Sequence, residues 1–121
     1  MVKQYRNALD RVTLEIPAGA RDSVTEDTAI CAKRELEEET GLLAEEWIDL
    51  GEFYPAAAYC DEVITMYLAK GLHQGTRHLD EDEFLNIVEV SLEELVEEVM
   101  QGKIADGKTQ AAIMKVAWMM K

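Results

Sequence analysis

The chain has 121 residues, with 12 Lys and Arg against 25 Asp and Glu, a formal net charge of −13 and 48% hydrophobic residues. That length suits a single domain, 1–121, with a modest core, and the charge argues against general binding to nucleic acid or an anionic membrane, whose phosphates it would repel. No apolar stretch approaches the ~18–20 residues of a membrane-spanning helix, and the first residues lack the apolar core of a signal peptide. Cys31 and Cys60 form no paired motif and read as reduced, packed thiols of a cytoplasmic protein.

Residues 12–16 alternate apolar and polar as a strand does and stop at the turn Pro17-Ala18-Gly19. A helix follows, capped around Thr25 or Asp27, with Ala29, Ala32 and Leu36 as an apolar stripe for packing on a sheet and Gly41 placed to end it. Residues 47–54 and 62–69 read as strands joined by 55–61, and 84–90 as another strand. Ser91-Leu92-Glu93-Glu94 is a capping box opening a helix that ends near Gly102. A last helix over 109–120 carries Ile113, Val116, Ala117 and Met120 on one side. Strands and helices in this order predict an α/β fold, a sheet sandwiched by helices. His73 and His78 have no ligand-like partners and read as loop residues, and Met114, Trp118, Met119 and Met120 as core or dimer contacts.

The segment Arg34-Glu35-Leu36-Glu37-Glu38-Glu39-Thr40-Gly41-Leu42 places four carboxylates in five helical positions. Residues three and four apart share a helix face, so Glu35, Glu38 and Glu39 point one way and Glu37 another. Like charges at ~5–6 Å and an effective dielectric of ~20 would cost roughly 3 kcal/mol per pair if partly buried. A divalent cation reverses the sign, and Mg²⁺, a hard ion that favours oxygen and is commonly held by a couple of carboxylates, water and substrate phosphate, suits this donor set better than zinc. A bare Glu-rich helix more often presents a solvated acidic face.

The surroundings favour the metal site. Glu15-Ile16-Pro17-Ala18-Gly19 and Glu26 stand ahead of the acids, with seven residues between Glu26 and Arg34. This resembles the Nudix hydrolase signature: Gly, five residues, Glu, seven residues, then Arg-Glu-aliphatic-x-Glu-Glu-x-Gly-aliphatic. The match is complete from Glu26 onward; upstream, six residues rather than five separate Gly19 from Glu26. Val2-Lys3-Gln4-Tyr5-Arg6, Asp61-Glu62, Asp80-Glu81-Asp82-Glu83-Phe84 and Gly102-Lys103-Ile104-Ala105-Asp106 with Lys108-Thr109 extend the resemblance to the ADP-ribose pyrophosphatase branch over nearly the whole chain. Members of that branch carry further residues ahead of the Val2–Arg6 segment, so the resemblance leads us to expect a Nudix-like α/β/α sandwich with a mixed sheet that lacks the usual N-terminal strands, its bare edge covered by homodimerisation. Ala56-Ala57-Ala58 stands where the branch usually reads Ser-Pro-Gly, which departs from the family's substrate loop.

The resemblance implies Mg²⁺-dependent hydrolysis of the pyrophosphate bond of a nucleoside diphosphate derivative, ADP-ribose to AMP and ribose 5-phosphate first among candidates, with Mn²⁺ a substitute for Mg²⁺. Glu35, Glu39 and the Ala18 carbonyl match metal ligands, and Glu83 a further metal-reaching acid. Glu38 matches the third acid of the motif, Arg34 the residue that orients the acids, Glu81 the loop general base, and Arg6 and Glu62 substrate contacts. Without the resemblance, Glu81 and Glu83 read as a solvated acidic turn and Arg6 as a surface ion-pair partner. A catalytically weak module that senses a nucleotide is the alternative of a different class; a nucleoside triphosphate or dinucleoside polyphosphate hydrolase is the alternative within the family.

Overall fold

The computed structural model describes residues 1–21, 23–75 and 87–121. β1 (Val2–Arg6) and β2 (Arg11–Glu15) form an antiparallel hairpin in register from Val2 opposite Glu15 to Arg6 opposite Arg11. Its turn closes through Leu9 N–H to the Arg6 carbonyl at 3.1 Å, with Asp10 at φ 50°, a left-handed conformation that Asp tolerates better than most residues. β2 agrees with the expected strand to within one residue, whereas β1 lies in a segment whose alternation alone did not mark it as a strand.

α1 (Thr28–Thr40) begins where the Asp27 carboxylate accepts from the backbone of Ala29 at 2.7 Å and Ile30 at 3.4 Å. Those bonds satisfy donors that have no partner inside the helix. It ends at Gly41, φ 72°, whose N–H reaches the Glu37 carbonyl at 2.7 Å. A side chain there would strain the left-handed cap. β3 (Leu42–Phe53) starts at once and pairs antiparallel with β4 (Ile64–Gln74). Both strands run past the expected limits: β3 begins five residues earlier than 47, and β4 ends five later than 69. Polar residues on an exposed hairpin keep their backbone pairing without an apolar alternation to announce it. A bulge at Asp49/Gly51 bends β3, with Gly51 at φ 95° and its N–H on the Asp49 carboxylate at 2.7 Å.

α2 (Leu92–Met100) carries the expected Ser91 cap, whose hydroxyl accepts from Glu94 N–H at 3.2 Å. α3 (Gly107–Met119) is capped by Asp106. Leu50, Met66 and Ala112 are buried together, with Ile48, Phe53, Ile64, Leu68 and Val116 packed around them, so the core lies between the β3–β4 hairpin and α3. The tyrosine hydroxyl of Tyr67 meets Thr28 Oγ1 at 2.6 Å and pins the start of α1 to β4.

The architecture is mixed α/β, as expected, and pairing among the described residues forms two separate antiparallel ladders, β1–β2 and β3–β4, where one mixed sheet was expected. Of the strand expected over 84–90, residues 84–86 lie outside the described residues, and Ile87 makes a single antiparallel bridge to Val2. Met120 is 63% exposed rather than on the packed side of the last helix, and Cys60 is exposed while Cys31 is buried.

Candidate active site

Arg34, on α1, gathers acids from two segments. Its guanidinium bonds Glu26 at 3.1 and 3.4 Å, Glu35 at 3.0 Å, Glu38 at 3.3 Å and the Ala20 carbonyl at 3.2 Å. Five donors in a planar fork suit this task, which a lysine could not perform. Arg34 therefore ties the loop entering α1 to the helix, and Glu26, which was not among the expected site residues, anchors it. The signal for Glu26 was its fixed spacing in the motif.

The turn after β2 meets α1 face to face. A Cβ placed on Gly19 would overlap the Glu35 carboxylate, so only glycine lets that carboxylate lie against the backbone. Glu39 Oε2 accepts from the Ala18 N–H at 3.2 Å. Burial raises the Glu39 carboxyl above its usual range, the Ala18 hydrogen bond opposes that rise, the neighbouring Glu35 charge adds to it, and Lys108 and Arg6 oppose it. The expected convergence of three acids on one spot is met only in part: Glu35 and Glu39 meet the turn, and the exposed Glu38 meets Glu35 on the same nitrogen of Arg34 instead. Among the described residues no three His, Cys, Asp or Glu side chains are grouped to hold a metal. Arg34 supplies the compensating positive charge for Glu38 instead.

Two carboxylates remain beside the turn, and they fit a divalent cation. Both offer hard oxygen donors, one is seated in a cradle that a single methyl group would fill, and the other is disfavoured as an anion by burial and by its neighbour. Mg²⁺ usually takes one or two protein carboxylates and completes its shell with water and phosphate. The Ala18 N–H is engaged by Glu39, which fixes the turn whose carbonyl the resemblance assigned to the metal.

Arg6, at the end of β1, is held by Glu15 through paired bonds at 2.8 and 2.6 Å while keeping a side chain 45% exposed. Glu62 is exposed in the loop before β4, outside the strand it was expected to begin. Glu81 and Glu83 lie outside the described residues. Glu15, buried at 1% exposure, and Lys108 and Asp106 at the start of α3 form a charged cluster outside the expected site residues. Glu15 Oε1 accepts from Lys108 Nζ at 2.9 Å, and Lys108 also bonds Asp106 at 2.9 Å. Arg6, Thr13 and Lys108 hold the Glu15 carboxyl down at about 2, Arg6 most strongly. Its position directly before Ile16-Pro17-Ala18-Gly19 was the available signal.

The chain matches the family model of the NUDIX domain over residues 1–111. It is 41% identical over 115 residues to the methanol dehydrogenase activator of Bacillus methanolicus, covering 93% of this chain and 62% of that protein. To the ADP-ribose pyrophosphatase of Bacillus subtilis (strain 168) it is also 41% identical, with the same coverage, and to that of Mycobacterium tuberculosis (strain ATCC 25618 / H37Rv) 34% identical over 120 residues, 96% of this chain and 57% of the other. The chain thus spans about three fifths of the length of the curated relatives it matches. A crystal structure of an ADP compounds hydrolase superposes with a TM-score of 0.78 at 21% identity over 96% of this chain and 62% of the other, a likeness of fold. The signature acids around Arg34, the glycine turn beneath Glu35 and the domain match over 1–111 together place this chain in the Nudix family.

Proposed function

We propose that the protein is a Mg²⁺-dependent pyrophosphohydrolase that adds water across the P–O–P bridge of a nucleoside diphosphate derivative, with ADP-ribose the first candidate and AMP and ribose 5-phosphate its products. The observation that carries the reading is the pair Glu35 and Glu39 set against the Ala18–Gly19 turn and braced by Arg34. Two relatives named ADP-ribose pyrophosphatase support the substrate class. A divalent cation bound there would neutralise pyrophosphate charge and acidify the attacking water. Within the chain, Glu35 and Glu39 would hold it with the Ala18 carbonyl, Arg34 would keep the acids in place, and Arg6 and Glu62 would contact substrate. Glu81 is our candidate to take the proton from water, and Glu83 a further metal-reaching acid, both on the sequence match. A base of this kind contributes ~10²–10⁴-fold.

The same reading makes residues 1–121 one domain of a cytoplasmic protein that pairs with a second copy of itself. No helix among the described residues is long and apolar enough to cross a membrane. A second reading rests on the equal likeness to a relative named as an activator of another enzyme: a nucleotide-binding module with weak chemistry. A panel of nucleoside diphosphate derivatives, incubated with Mg²⁺ and with EDTA and scored by product identity, separates the two. We expect AMP from ADP-ribose, none in EDTA, and a loss above ~100-fold in Glu39→Gln, since a metal supplies several kcal/mol of transition-state stabilisation. Glu37→Gln, which removes an acid assigned to the other side of α1, should change little. Substrate binding without turnover at any metal concentration would favour the module.

A further inference from the structure

Behind the turn lies a charged cluster that the two-carboxylate metal site does not require. Glu15 is an almost fully buried anion, and an isolated buried carboxylate is costly unless cations and hydrogen bonds satisfy it. It receives four donors: Arg6 Nε at 2.8 Å, Arg6 Nη2 at 2.6 Å, Thr13 Oγ1 at 2.5 Å and Lys108 Nζ at 2.9 Å. Lys108 is fixed from its other side by Asp106, which is itself held by the Thr109 N–H at 3.1 Å and hydroxyl at 2.5 Å. The Thr109 hydroxyl in turn accepts from Ile16 N–H at 3.1 Å, so the start of α3 is fastened to the strand end that leads into the Pro17-Ala18-Gly19 turn.

The geometry leaves Lys108 with a capacity unused. An ammonium has three N–H donors. Two are occupied by Glu15 and Asp106, and the third has no acceptor among the described residues. Burial pulls the Lys108 ammonium down, but its bonds to Asp106 and Glu15 outweigh that and raise it, so it stays charged. Lys108 and Arg6 are both near enough to Glu39 to favour its ionised form. Glu15 is the deepest member, its side chain 2% exposed against 12% for Lys108 and 45% for Arg6.

We propose that Lys108 is a substrate-contacting cation that donates its third N–H to the pyrophosphate, and that Glu15 is the positioning residue that aims Lys108 and Arg6 from below. This rests on the pyrophosphohydrolase reading, and it adds to the metal a fixed cationic wall contributed by the start of α3. Because the ammonium is already immobilised by two carboxylates, little side-chain freedom remains to be lost when the anion arrives.

The deciding measurement is calorimetric titration of the whole chain with inorganic pyrophosphate in Mg²⁺, backed by steady-state kinetics on ADP-ribose and by circular dichroism to confirm folding. Lys108→Met should weaken pyrophosphate by about tenfold, the loss of one charge-assisted hydrogen bond, and raise KM more than it lowers kcat. Lys108→Arg should recover most of the affinity. Glu15→Gln should weaken binding in the otherwise unchanged protein and weaken it less when added to Lys108→Met, a coupling that a purely structural role for Glu15 would not produce. Should Glu15→Gln fail to fold, the two Lys108 variants decide. A protein that binds no pyrophosphate, or a folded Lys108→Met that binds it within twofold of the original, overturns the proposal. If no nucleoside diphosphate derivative is turned over but Lys108→Met still loses pyrophosphate, the hydrolase reading falls and the anion site stands.

Discussion

Glu35 decides what residue 19 can be. With its carboxylate packed on the backbone of the turn, adding one methyl group at position 19 forces either the carboxylate or the turn to move. Gly19→Ala should therefore leave the unfolding midpoint nearly unchanged while cutting metal-dependent turnover by ~100-fold or more, since displacements near 1 Å at a reacting centre cost that much. Equal turnover in Gly19→Ala would show that Glu35 does not need its seat. Glu15 makes the opposite contribution, to stability. Its carboxyl falls from 4.5 to about 2 on folding, so the folded state is favoured above the unfolded value and loses that advantage as pH drops through the folded one. A shift of that size corresponds to about 3 kcal/mol, lost between about pH 5 and pH 2. Denaturant unfolding at a series of acid pH values should show a shallower pH dependence for Glu15→Gln than for the original chain; parallel curves would mean that other carboxylates govern acid unfolding. The positions of Arg34, Glu35 and Glu39 could be read from the motif because helical spacing fixes them. The roles of Glu15 and Lys108 could not, because the two are 93 residues apart in sequence and meet only when the start of α3 docks on β2.

Helices were more legible than strands. Each helix is opened by a side chain that accepts backbone N–H groups, Asp27, Ser91 and Asp106, and Ser91 and Asp27 are visible as caps before any tertiary contact exists. Asp27 carries two of those bonds on an exposed surface, so Asp27→Ala should lower stability by about 1 kcal/mol. The same change should reduce activity less than stability, because Arg34 and Glu26 brace the acids independently of the cap. Thermal melting and turnover on one preparation would test both; an activity loss much larger than the unfolded fraction would mean that the cap sets the acid geometry. Strand limits were less legible. Pairing partners of β1 and the outer half of β3–β4 are set by backbone register with another segment, which a local alternation of polar and apolar residues does not encode. The bulge at Gly51 shows the same limit, since it bends β3 where only the partner strand defines what is extra.

At the scale of the whole molecule, two opposing terms govern self-association. A net charge of −13 repels a second copy, and over distances beyond a Debye length of ~8 Å at physiological ionic strength that repulsion is screened. Against it, the end of α3 presents Trp118 at 72% exposure, Met120 at 63% and Met119 at 47%, side chains of a kind that contribute strongly when buried between chains. We expect the short-range term to win once salt screens the charge. Sedimentation velocity at tens of micromolar should show a dimer at about 150 mM NaCl that shifts toward monomer at about 10 mM, where the Debye length reaches ~30 Å. Trp118→Glu and Met120→Glu, each adding a like charge to the apolar contact, should give monomer at both salt concentrations while circular dichroism stays unchanged. A single species of one chain's mass at 150 mM NaCl contradicts the expectation. A dimer that persists unaltered in both variants would move the contact away from α3, to another exposed apolar surface such as Tyr5, Leu9 and Val12 on the β1–β2 hairpin.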